Sequence, residues 1–476
     1  MTSTTAPSDR PTTLRDLRDS GHVAKSVKAE LRDNLLARMS AGEERFPGIV
    51  GFDDTVLPQF ERAILAGHDV VLLGERGQGK TRLIRTLVQL LDEWTPIVAG
   101  CEINDHPYAP ICSRCRVLVA EHGDRLAVDW KHRDDRYAEK LATPDVSVGD
   151  LIGDVDPIKV AEGRRLGDPE TVHYGLVPRT NRGIIAINEL PDLAERIQVA
   201  LLNVLEERDI QVRGYTLRLP LDVLLLASAN PEDYTNRGRI ITPLKDRFGA
   251  EVRTHYPLDL DDELRVVRQE ALVEWGDDAV SAALPDHLVE VIARFTRHVR
   301  ESPAVDGRSG VSARFAVAAA ETVAASAVRR AALTGEDVAV ARVADLPTIV
   351  PAVQGKVEFE TSEEGRESDV LDHLLRRSIA DTFRARLGGV DLAPLVDLFN
   401  EGTTVETGEL VPANELLSSL GTVPGLGRLL GALGIDEGAE TPGLAAAGLE
   451  FALEGLYLLR RLSKETVEDR VRYGAR

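Results

Sequence analysis

The stretch Gly74-Glu-Arg-Gly-Gln-Gly79-Lys80-Thr81 decides how this chain folds. It follows His68-Asp-Val-Val-Leu-Leu73, a short apolar run of the length and composition of a buried β-strand. A helical pattern from Arg82 to Trp94 comes directly after it. The sequence therefore predicts a strand, a tight glycine-rich loop and a helix in direct succession.

The loop matches the pattern G-x-x-x-x-G-K-[ST], whose backbone N–H groups turn inward around phosphate oxygens. The N-terminus of the following helix adds a partial positive charge. Lys80 is expected to reach the β- and γ-phosphates of ATP, and Thr81 to hold Mg²⁺. A chance match in a glycine-rich turn is the alternative, and the flanking strand and helix disfavour it. The expected nucleotide-binding residues of the loop are Gly74, Glu75, Arg76, Gly77, Gln78, Gly79, Lys80 and Thr81.

Two further apolar strands are predicted at 183–187 and 223–228, with a helix from Asp192 to Arg208 between them. Runs of this kind are typical of strands buried in a parallel sheet. The alternation of strands and helices predicts an α/β fold, with a doubly wound parallel-sheet core from 45 to 257.

The rest of the chain is predicted to be mostly helical. Residues 1–44 read as a tail followed by one or two helices between Thr13 and Met39. Residues 258–355 read as a helical lid, and residues 356–476 as a helical C-terminal domain of unknown role that begins with a charged linker at 358–368. The apolar stripes that support this division lie at Leu258–Trp275, Pro285–Val299, Ala313–Leu333 and Leu444–Leu462.

The strand at 183–187 ends in Asn188 and Glu189. P-loop ATPases carry at this place an Asp for Mg²⁺ and often a Glu that polarises the attacking water. Asn188 can still hydrogen-bond a metal-bound water, but it supplies no charge. One charge at ~4 Å is an interaction of about 4 kcal/mol at an effective dielectric of ~20, so weaker Mg²⁺ binding is expected. A helix-capping role for Glu189, beside Pro191, is the alternative.

Three more polar residues fall in a suggestive order. Asn230 follows the strand at 223–228, where a polar side chain can orient the attacking water if this strand lies between the other two. Arg247, in Lys245-Asp-Arg-Phe248, would place a cation at a subunit edge. Arg314 opens a lid helix and could reach the γ-phosphate. Each signal is weak alone, and their order and spacing carry the weight.

This order resembles that of AAA+ ATPases, and in detail the chain is similar to the magnesium chelatase AAA+ subunit (subunit I) and its MoxR relatives. The resemblance covers about 45 to 345. It is carried outside the loop by Phe46-Pro-Gly-Ile-Val-Gly51, Val98-Ala-Gly-Cys-Glu-Ile-Asn104 with Pro107, Asp150-Leu-Ile-Gly-Asp-Val-Asp156, Ala200-Leu-Leu-Asn-Val-Leu-Glu-Glu207 and Leu244-Lys-Asp-Arg-Phe248.

The resemblance implies roles for these residues. Asn230 would be sensor 1, Arg247 an arginine finger acting in trans, and Arg314 sensor 2, with Glu189 as the catalytic glutamate that polarises the attacking water. Residues 207–220 would form the hairpin before sensor 1. A finger acting in trans implies a ring, expected to be a hexamer. Relatives commonly act on a partner with a von Willebrand A domain, whose metal site the motor loads or remodels.

The chain has three cysteines: Cys101, and the CxxC pair Cys112 and Cys115. With His106 and His122 nearby, two thiolates and two of the neighbouring residues could form a tetrahedral zinc site. A redox pair is a second option. The third, which the non-standard spacing favours, is a set of unremarkable cysteines in a surface insertion.

Composition limits the function further. A formal charge of −21 over 476 residues argues against a protein that coats nucleic acid or an anionic membrane. Three cysteines exclude a disulfide scaffold, no apolar run approaches a membrane span, and the first twenty residues lack a secretory apolar region, so a cytoplasmic ATPase is expected.

Four functions remain beside the leading hypothesis of an ATP-driven motor that remodels a partner protein. The narrowest is a true magnesium chelatase subunit inserting Mg²⁺ into protoporphyrin, and another is a non-hydrolysing nucleotide switch or scaffold. A nucleic-acid motor is disfavoured by the acidic charge and the lack of a basic, aromatic tract. An activator of the alternative-sigma type is disfavoured because no GAFTGA-like loop precedes the acidic strand.

Overall fold

The chain divides into two compact units, Met1–His255 and Tyr256–Arg476. The structure is a computed structural model, and it describes residues 9–156, 158, 161, 171–207, 210–212, 215–217, 219–231, 239–273, 282–307, 310–421, 423–435, 441–467 and 470–476.

The first unit mixes strands and helices. Its strands are β1 (Val70–Leu73), β2 (Trp94–Val98), β3 (Val128–His132), β4 (Tyr137–Leu141), β5 (Gly153–Val155), β6 (Val172–Tyr174), β7 (Gly183–Asn188), β8 (Ile210–Val212), β9 (Tyr215–Leu217), β10 (Val223–Ala229) and β11 (Ala250–Arg253). Its helices are α1 (Leu14–Asp19), α2 (Val27–Ala41), α3 (Val56–Leu65), α4 (Lys80–Thr86), α5 (Ser113–His122), α6 (Val148–Leu151), α7 (Leu176–Arg179), α8 (Glu195–Glu206) and α9 (Thr242–Arg247).

Among the described residues, five strands form a parallel sheet in the order β11-β1-β10-β7-β4. Val70 of β1 pairs with Leu226 of β10 on one side and with Ala250 of β11 on the other. The central strands are buried on both faces, as their unbroken apolar runs predict. One apolar cluster covers each face of the sheet, with α2, α3 and α4 on one side and α8 and α9 on the other. The predicted doubly wound fold is confirmed.

The helix predicted from Arg82 to Trp94 is wrong in its second half. Helix α4 ends at Thr86, a 3₁₀ turn covers Leu87–Leu90, and Trp94 begins β2. Leu83, Leu87 and Leu90 are all buried, so the apolar spacing continues from the α-helix into the 3₁₀ turn. The change of helix type therefore cannot be recognised from the sequence pattern. The predicted hairpin at 207–220 lies partly outside the described residues, and β8 and β9 within it pair antiparallel.

The second unit is mostly helical. Its helices are α10 (Leu260–Glu270), α11 (Asp286–Glu301), α12 (Ala313–Thr334), α13 (Ile349–Val353), α14 (Glu367–Leu387), α15 (Ala393–Asn400), α16 (Ala413–Leu420), α17 (Leu426–Ala432) and α18 (Pro442–Leu458). Its strands are β12 (Ala282–Ala283), β13 (Ala339–Val340), β14 (Val405–Thr407), β15 (Ser463–Val467) and β16 (Arg470–Gly474).

A single apolar cluster, from Leu264 to Tyr473, forms the core of the second unit. Helices from both sides of residue 355 contribute to it, because α11 packs against α14 and α14 against α18. The sequence-based division into a lid and a C-terminal domain stays a prediction. The predicted helix at Leu444–Leu462 ends at Leu458, and the chain continues into β15. That strand joins β14 and β16 in an antiparallel sheet. In the described part of the chain, no helix has the length and apolarity to cross a membrane.

Candidate nucleotide site

The glycine-rich loop turns sharply between β1 and α4. Gly79, directly before α4, has a φ of 73°, a left-handed conformation that favours glycine. Gly74 has no room for a side chain, because a Cβ there would lie 1.9 Å from Thr254 Oγ1. Gln78 Oε1 braces the loop by accepting the backbone N–H of Glu75 at 3.0 Å and the Thr254 hydroxyl at 2.9 Å. The contacts of Gln78 with Glu75 and Thr254 therefore fix the conformation of the loop, and Arg76 and Gly77 are exposed at its tip.

Lys80 points back into the loop that it follows. Its Nζ donates to the carbonyl oxygens of Gly74 at 2.5 Å and Glu75 at 2.7 Å, and to Asn230 Oδ1 at 2.9 Å. The side chain is 6% exposed. Phosphate oxygens would bind this ammonium group more strongly than neutral carbonyl oxygens do, because hydrogen bonds between two charged groups are stronger. This arrangement fits a bound phosphate group.

A second polar group lies at the ends of β7 and β10. Asn188 Oδ1 accepts the Ser228 hydroxyl at 3.0 Å and lies 3.5 Å from Thr81 Oγ1. The residues predicted to be near Mg²⁺, Thr81 and Asn188, are thus brought together. Mg²⁺ prefers oxygen ligands such as those of amides and hydroxyls, so these residues fit a magnesium site. Asn188 contributes an oxygen atom to this site but no negative charge.

Glu139 completes this group and was missed by the sequence analysis. It lies on β4, and its Oε1 accepts from Asn188 Nδ2 at 2.7 Å. This bond fixes which way the Asn188 amide faces, with the nitrogen toward Glu139 and the oxygen toward Thr81. Burial opposes the ionisation of Glu139, but hydrogen bonds from Arg85, Tyr137 and Asn188 outweigh it and lower the pKa of Glu139. The Glu139 carboxylate is therefore separated from the expected metal position only by the side chain of Asn188.

Glu189, the residue predicted to act on the attacking water, lies beside Asn230. Asn230 Nδ2 donates to Glu189 Oε2 at 2.6 Å, and the Glu189 backbone N–H donates to Ser228 Oγ at 3.3 Å. Glu189 has a φ of 55°, unusual for a residue with a side chain and a mark of local strain of the kind found at functional sites. Since β10 lies between β1 and β7, Asn230 links Lys80 to Glu189.

A cleft of about 340 Å³ opens beside the loop. Its lining includes two cations that the sequence analysis did not assign to the site, Lys245 of α9 and Arg253 of β11. Both lie near Glu251 Oε atoms, at 3.4 Å. Glu75 lines the cleft as well, so its lining carries charges of both signs.

The two predicted arginines are not among the residues described above. Arg247 is 44% exposed on α9 and forms an ion pair with Glu206 at 2.5 Å. Arg314 is an exposed residue near the start of α12 in the second unit. Their roles as arginine finger and sensor 2 stay predictions.

The expected surface location of the cysteines is wrong. Cys101, Cys112 and Cys115 are all buried and belong to the apolar core of the first unit. Asp105 joins them, whereas His106 stacks on His22 and His122 is exposed. Hydrogen bonds from the thiols of Cys112 and Cys115 lower the pKa of Cys101, while burial and the charge of Cys101 raise the pKa of Asp105.

The glycine loop between β1 and α4, the strand order and the polar ends of β7 and β10 define an ATP-binding core of the AAA+ class. A family model described as the sigma-54 interaction domain matches residues 166–247, the segment that holds Asn188, Glu189, Asn230 and Arg247. The match supports the AAA+ assignment over this part of the core.

Within that class, the chain is similar to magnesium chelatase. The magnesium-chelatase 38 kDa subunit of Acidiphilium rubrum is 33% identical over 204 residues, which are 42% of this chain and 55% of that protein. The corresponding subunit of Rhodobacter capsulatus is 28% identical over 234 residues, 47% of this chain and 59% of that protein. The chain spans about half the length of the curated relatives it matches.

Solved structures give a weaker likeness. The structure of the complex between subunits BchI and BchD of magnesium chelatase contains a chain that is 22% identical, with a TM-score of 0.35, over 67% of this chain and 98% of that one. The AAA+, magnesium-chelatase-like assignment therefore rests on the sequence relatives and on the geometry of the first unit.

Proposed function

We propose that this protein is an ATP-hydrolysing AAA+ motor of the magnesium chelatase/MoxR type. The observation that carries the proposal is the continuous polar chain Lys80–Asn230–Glu189, which joins the expected phosphate-binding cation to the expected catalytic carboxylate. A scaffold that only binds nucleotide has no need of a strained glutamate at this position.

Each residue has one task in this proposal. Lys80 leaves the loop carbonyls and binds the β- and γ-phosphates of ATP. Thr81 and Asn188 would hold Mg²⁺, which when bound would offset the charge that develops on the phosphates. Glu189 accepts a proton from the attacking water, and Asn230 fixes the position of that carboxylate.

We further propose a ring, with Arg247 of one subunit reaching the nucleotide of the next. The half-exposed position of Arg247 on α9 is compatible with a role at a subunit edge. The ring would act on a partner protein with a von Willebrand A domain, as the resemblance to the family implies. Insertion of Mg²⁺ into protoporphyrin is the narrower alternative, and the wider statement is preferred because the similarity to a magnesium-chelatase subunit covers only 42% of this chain and 55% of that protein.

ATP turnover by three variants tests the motor. Lys80→Ala is expected to abolish ATP binding, because it removes the phosphate-binding cation. Glu189→Gln should keep ATP binding and lose roughly 10²–10⁴-fold in hydrolysis, the range for general-base catalysis. Glu195→Gln changes an exposed glutamate on α8 and should match the wild type. Wild-type protein that binds ATP without hydrolysing it would favour the nucleotide-switch alternative.

Affinity capture from native lysate tests the partner. The Glu189→Gln variant, which should hold ATP unhydrolysed, is compared with Lys80→Ala. Retention of a von Willebrand A-domain protein by Glu189→Gln alone is expected, and chelatase subunits alongside it would narrow the function to porphyrin metallation. Equal capture by both variants, or capture of no such protein, contradicts the partner proposal and leaves the ATPase result standing.

A further inference from the structure

Four buried side chains of the first unit converge on one point. One ligand atom from each of Cys101, Asp105, Cys112 and Cys115 lies within 4.8 Å of the other three. A tetrahedral zinc ion with Zn–S distances of about 2.3 Å separates its sulfur ligands by roughly 3.8 Å. The four atoms are therefore already close to the spacing that one ion requires.

The backbone around the cluster is arranged to hold thiolates. Cys112 is the N-cap of α5, and its Sγ accepts the backbone N–H of Cys115 at 3.3 Å. Cys101 follows β2, and its Sγ accepts the backbone N–H of Asp105 at 3.3 Å. N–H groups directed at sulfur favour its charged form. Backbone hydrogen bonds therefore position the sulfur atoms of Cys101 and Cys112.

Asp105 supplies a second, independent observation. Its Oδ2 accepts the backbone N–H groups of Ile111 at 3.1 Å and Cys112 at 2.9 Å. Its Oδ1 is buried and has no hydrogen-bond partner among the described residues, although the side chain is only 1% exposed. A buried carboxylate oxygen without a partner is costly, and a cation among the sulfurs would pair with it.

We propose that Cys101, Asp105, Cys112 and Cys115 bind one structural zinc ion. Three soft sulfur ligands select zinc over magnesium or calcium, which prefer all-oxygen sites. All four positions are filled by buried protein atoms, so the site has no open position for a substrate, as in structural rather than catalytic zinc sites. The ion ties the loop at 101–112 to α5, and it takes no part in ATP hydrolysis.

The metal content of the full-length wild-type protein, grown with added zinc, is the first measurement. About one zinc per chain is expected by elemental mass spectrometry, and exchange for Co²⁺ should give the charge-transfer and d–d bands of a tetrahedral, thiolate-ligated ion. All three thiols should react with a thiol reagent only after denaturation in a chelator. Less than about 0.1 zinc per chain with three free thiols, or a disulfide that leaves one thiol, overturns the proposal.

Matched variants locate the site. Cys115→Ser is expected to weaken zinc binding by more than the roughly 10–100-fold that loss of an outer-shell partner causes. Asp105→Asn keeps the shape and the acceptor for the Ile111 and Cys112 N–H groups but loses the charge, so it should fold and bind zinc more weakly. His122→Ala, on the exposed face of α5, should bind normally. Wild-type zinc content in Asp105→Asn and in any Cys115→Ser protein that folds would place the metal elsewhere.

Discussion

Lys80 in the first unit and Arg330 in the second are both buried cations, but the groups around them differ in charge. In the first unit, Lys80 is held by two backbone carbonyls and one amide oxygen, all of them neutral partners that a phosphate can replace. In the second unit, Arg330 donates from Nη1 to both oxygens of Asp345, at 2.6 and 2.7 Å, and both side chains are fully buried. The three oxygens around Lys80 can be exchanged for phosphate oxygens, whereas the carboxylate that pairs with Arg330 belongs to the fold itself.

The contrast teaches what to expect of substitutions. Changes around Lys80 should alter binding and turnover more than folding, because the loop is braced separately by Gln78 and Thr254. Changes around Arg330 should alter folding, because removal of one partner leaves the other charged and buried. In the second unit, the partly buried Arg300 and Arg386 pair with the buried Glu263 and Glu290, and the first unit has a buried pair of its own, Arg136 with Glu30.

The largest expected effect is the loss of stability caused by Arg330→Met. It leaves the Asp345 carboxylate buried without its cation and should lower the free energy of unfolding of the second unit by about 3–5 kcal/mol. Arg329→Met is the matched control, since the neighbouring Arg329 is 58% exposed and pairs with Glu409 at the surface, where such a pair contributes about 0–1 kcal/mol. Urea unfolding measures both. A loss for Arg330→Met no larger than the control would remove the contrast.

A smaller effect on stability is expected at low pH, because of the buried side chain of His287. Its ring is fully buried 4.8 Å from Phe451, and burial lowers the pKa of His287 to about 3. The unfolded chain binds this proton below a pKa of about 6.5 and the folded one does not, so stability falls as the pH drops. The loss between pH 7.5 and pH 5 should be about 2 kcal/mol.

Unfolding of His287→Leu at both pH values checks this expectation. The variant should lose the His287 share of the acid-dependent stability change, about 2 kcal/mol, whereas the exposed His373→Leu should keep it. If His287→Leu shows the same acid dependence as the wild type, the buried ring is not its source.

The smallest expected effect is the coupling between Asn188 and Glu139 in the first unit. Asn188→Asp places a carboxylate where an amide now donates to Glu139 at 2.7 Å, so like charges would meet. The double variant Asn188→Asp with Glu139→Gln restores an amide–carboxylate pair with the charge moved toward the metal. The coupling energy should be about 1 kcal/mol, or fivefold in the Mg²⁺ concentration that gives half-maximal ATP hydrolysis. Additive effects of the two changes would show that Glu139 does not position Asn188.

The sequence predicted the parts of the fold that local chemistry determines. The glycine loop needs particular residues at particular spacings, and the buried strands need unbroken apolar runs, so both can be read without a structure. Asn230 was assigned because it follows such a strand. The fold class and the AAA+ class were confirmed on this basis.

What was missed depends on contacts between distant segments. Glu139 lies in Tyr137-Ala-Glu-Lys-Leu141, a strand at the sheet edge with no apolar run to mark it, and its role arises only where β4 pairs with β7. Asp105 joins the cysteines through the turn at 106–109, which no spacing rule predicts. In the second unit, β15 and β16 are rich in charged residues, so their pairing was not predicted.

The strand order also governs when the ATP-binding core can form during synthesis. Asp69, next to β1, accepts from the Leu225 backbone N–H across 156 residues of sequence. At about 5–20 residues per second, a ribosome needs roughly 8–30 s to deliver that partner strand. Until then Val70–Leu73 has neither neighbour of the finished sheet, so this apolar strand is the segment that a nascent-chain chaperone would have to shield.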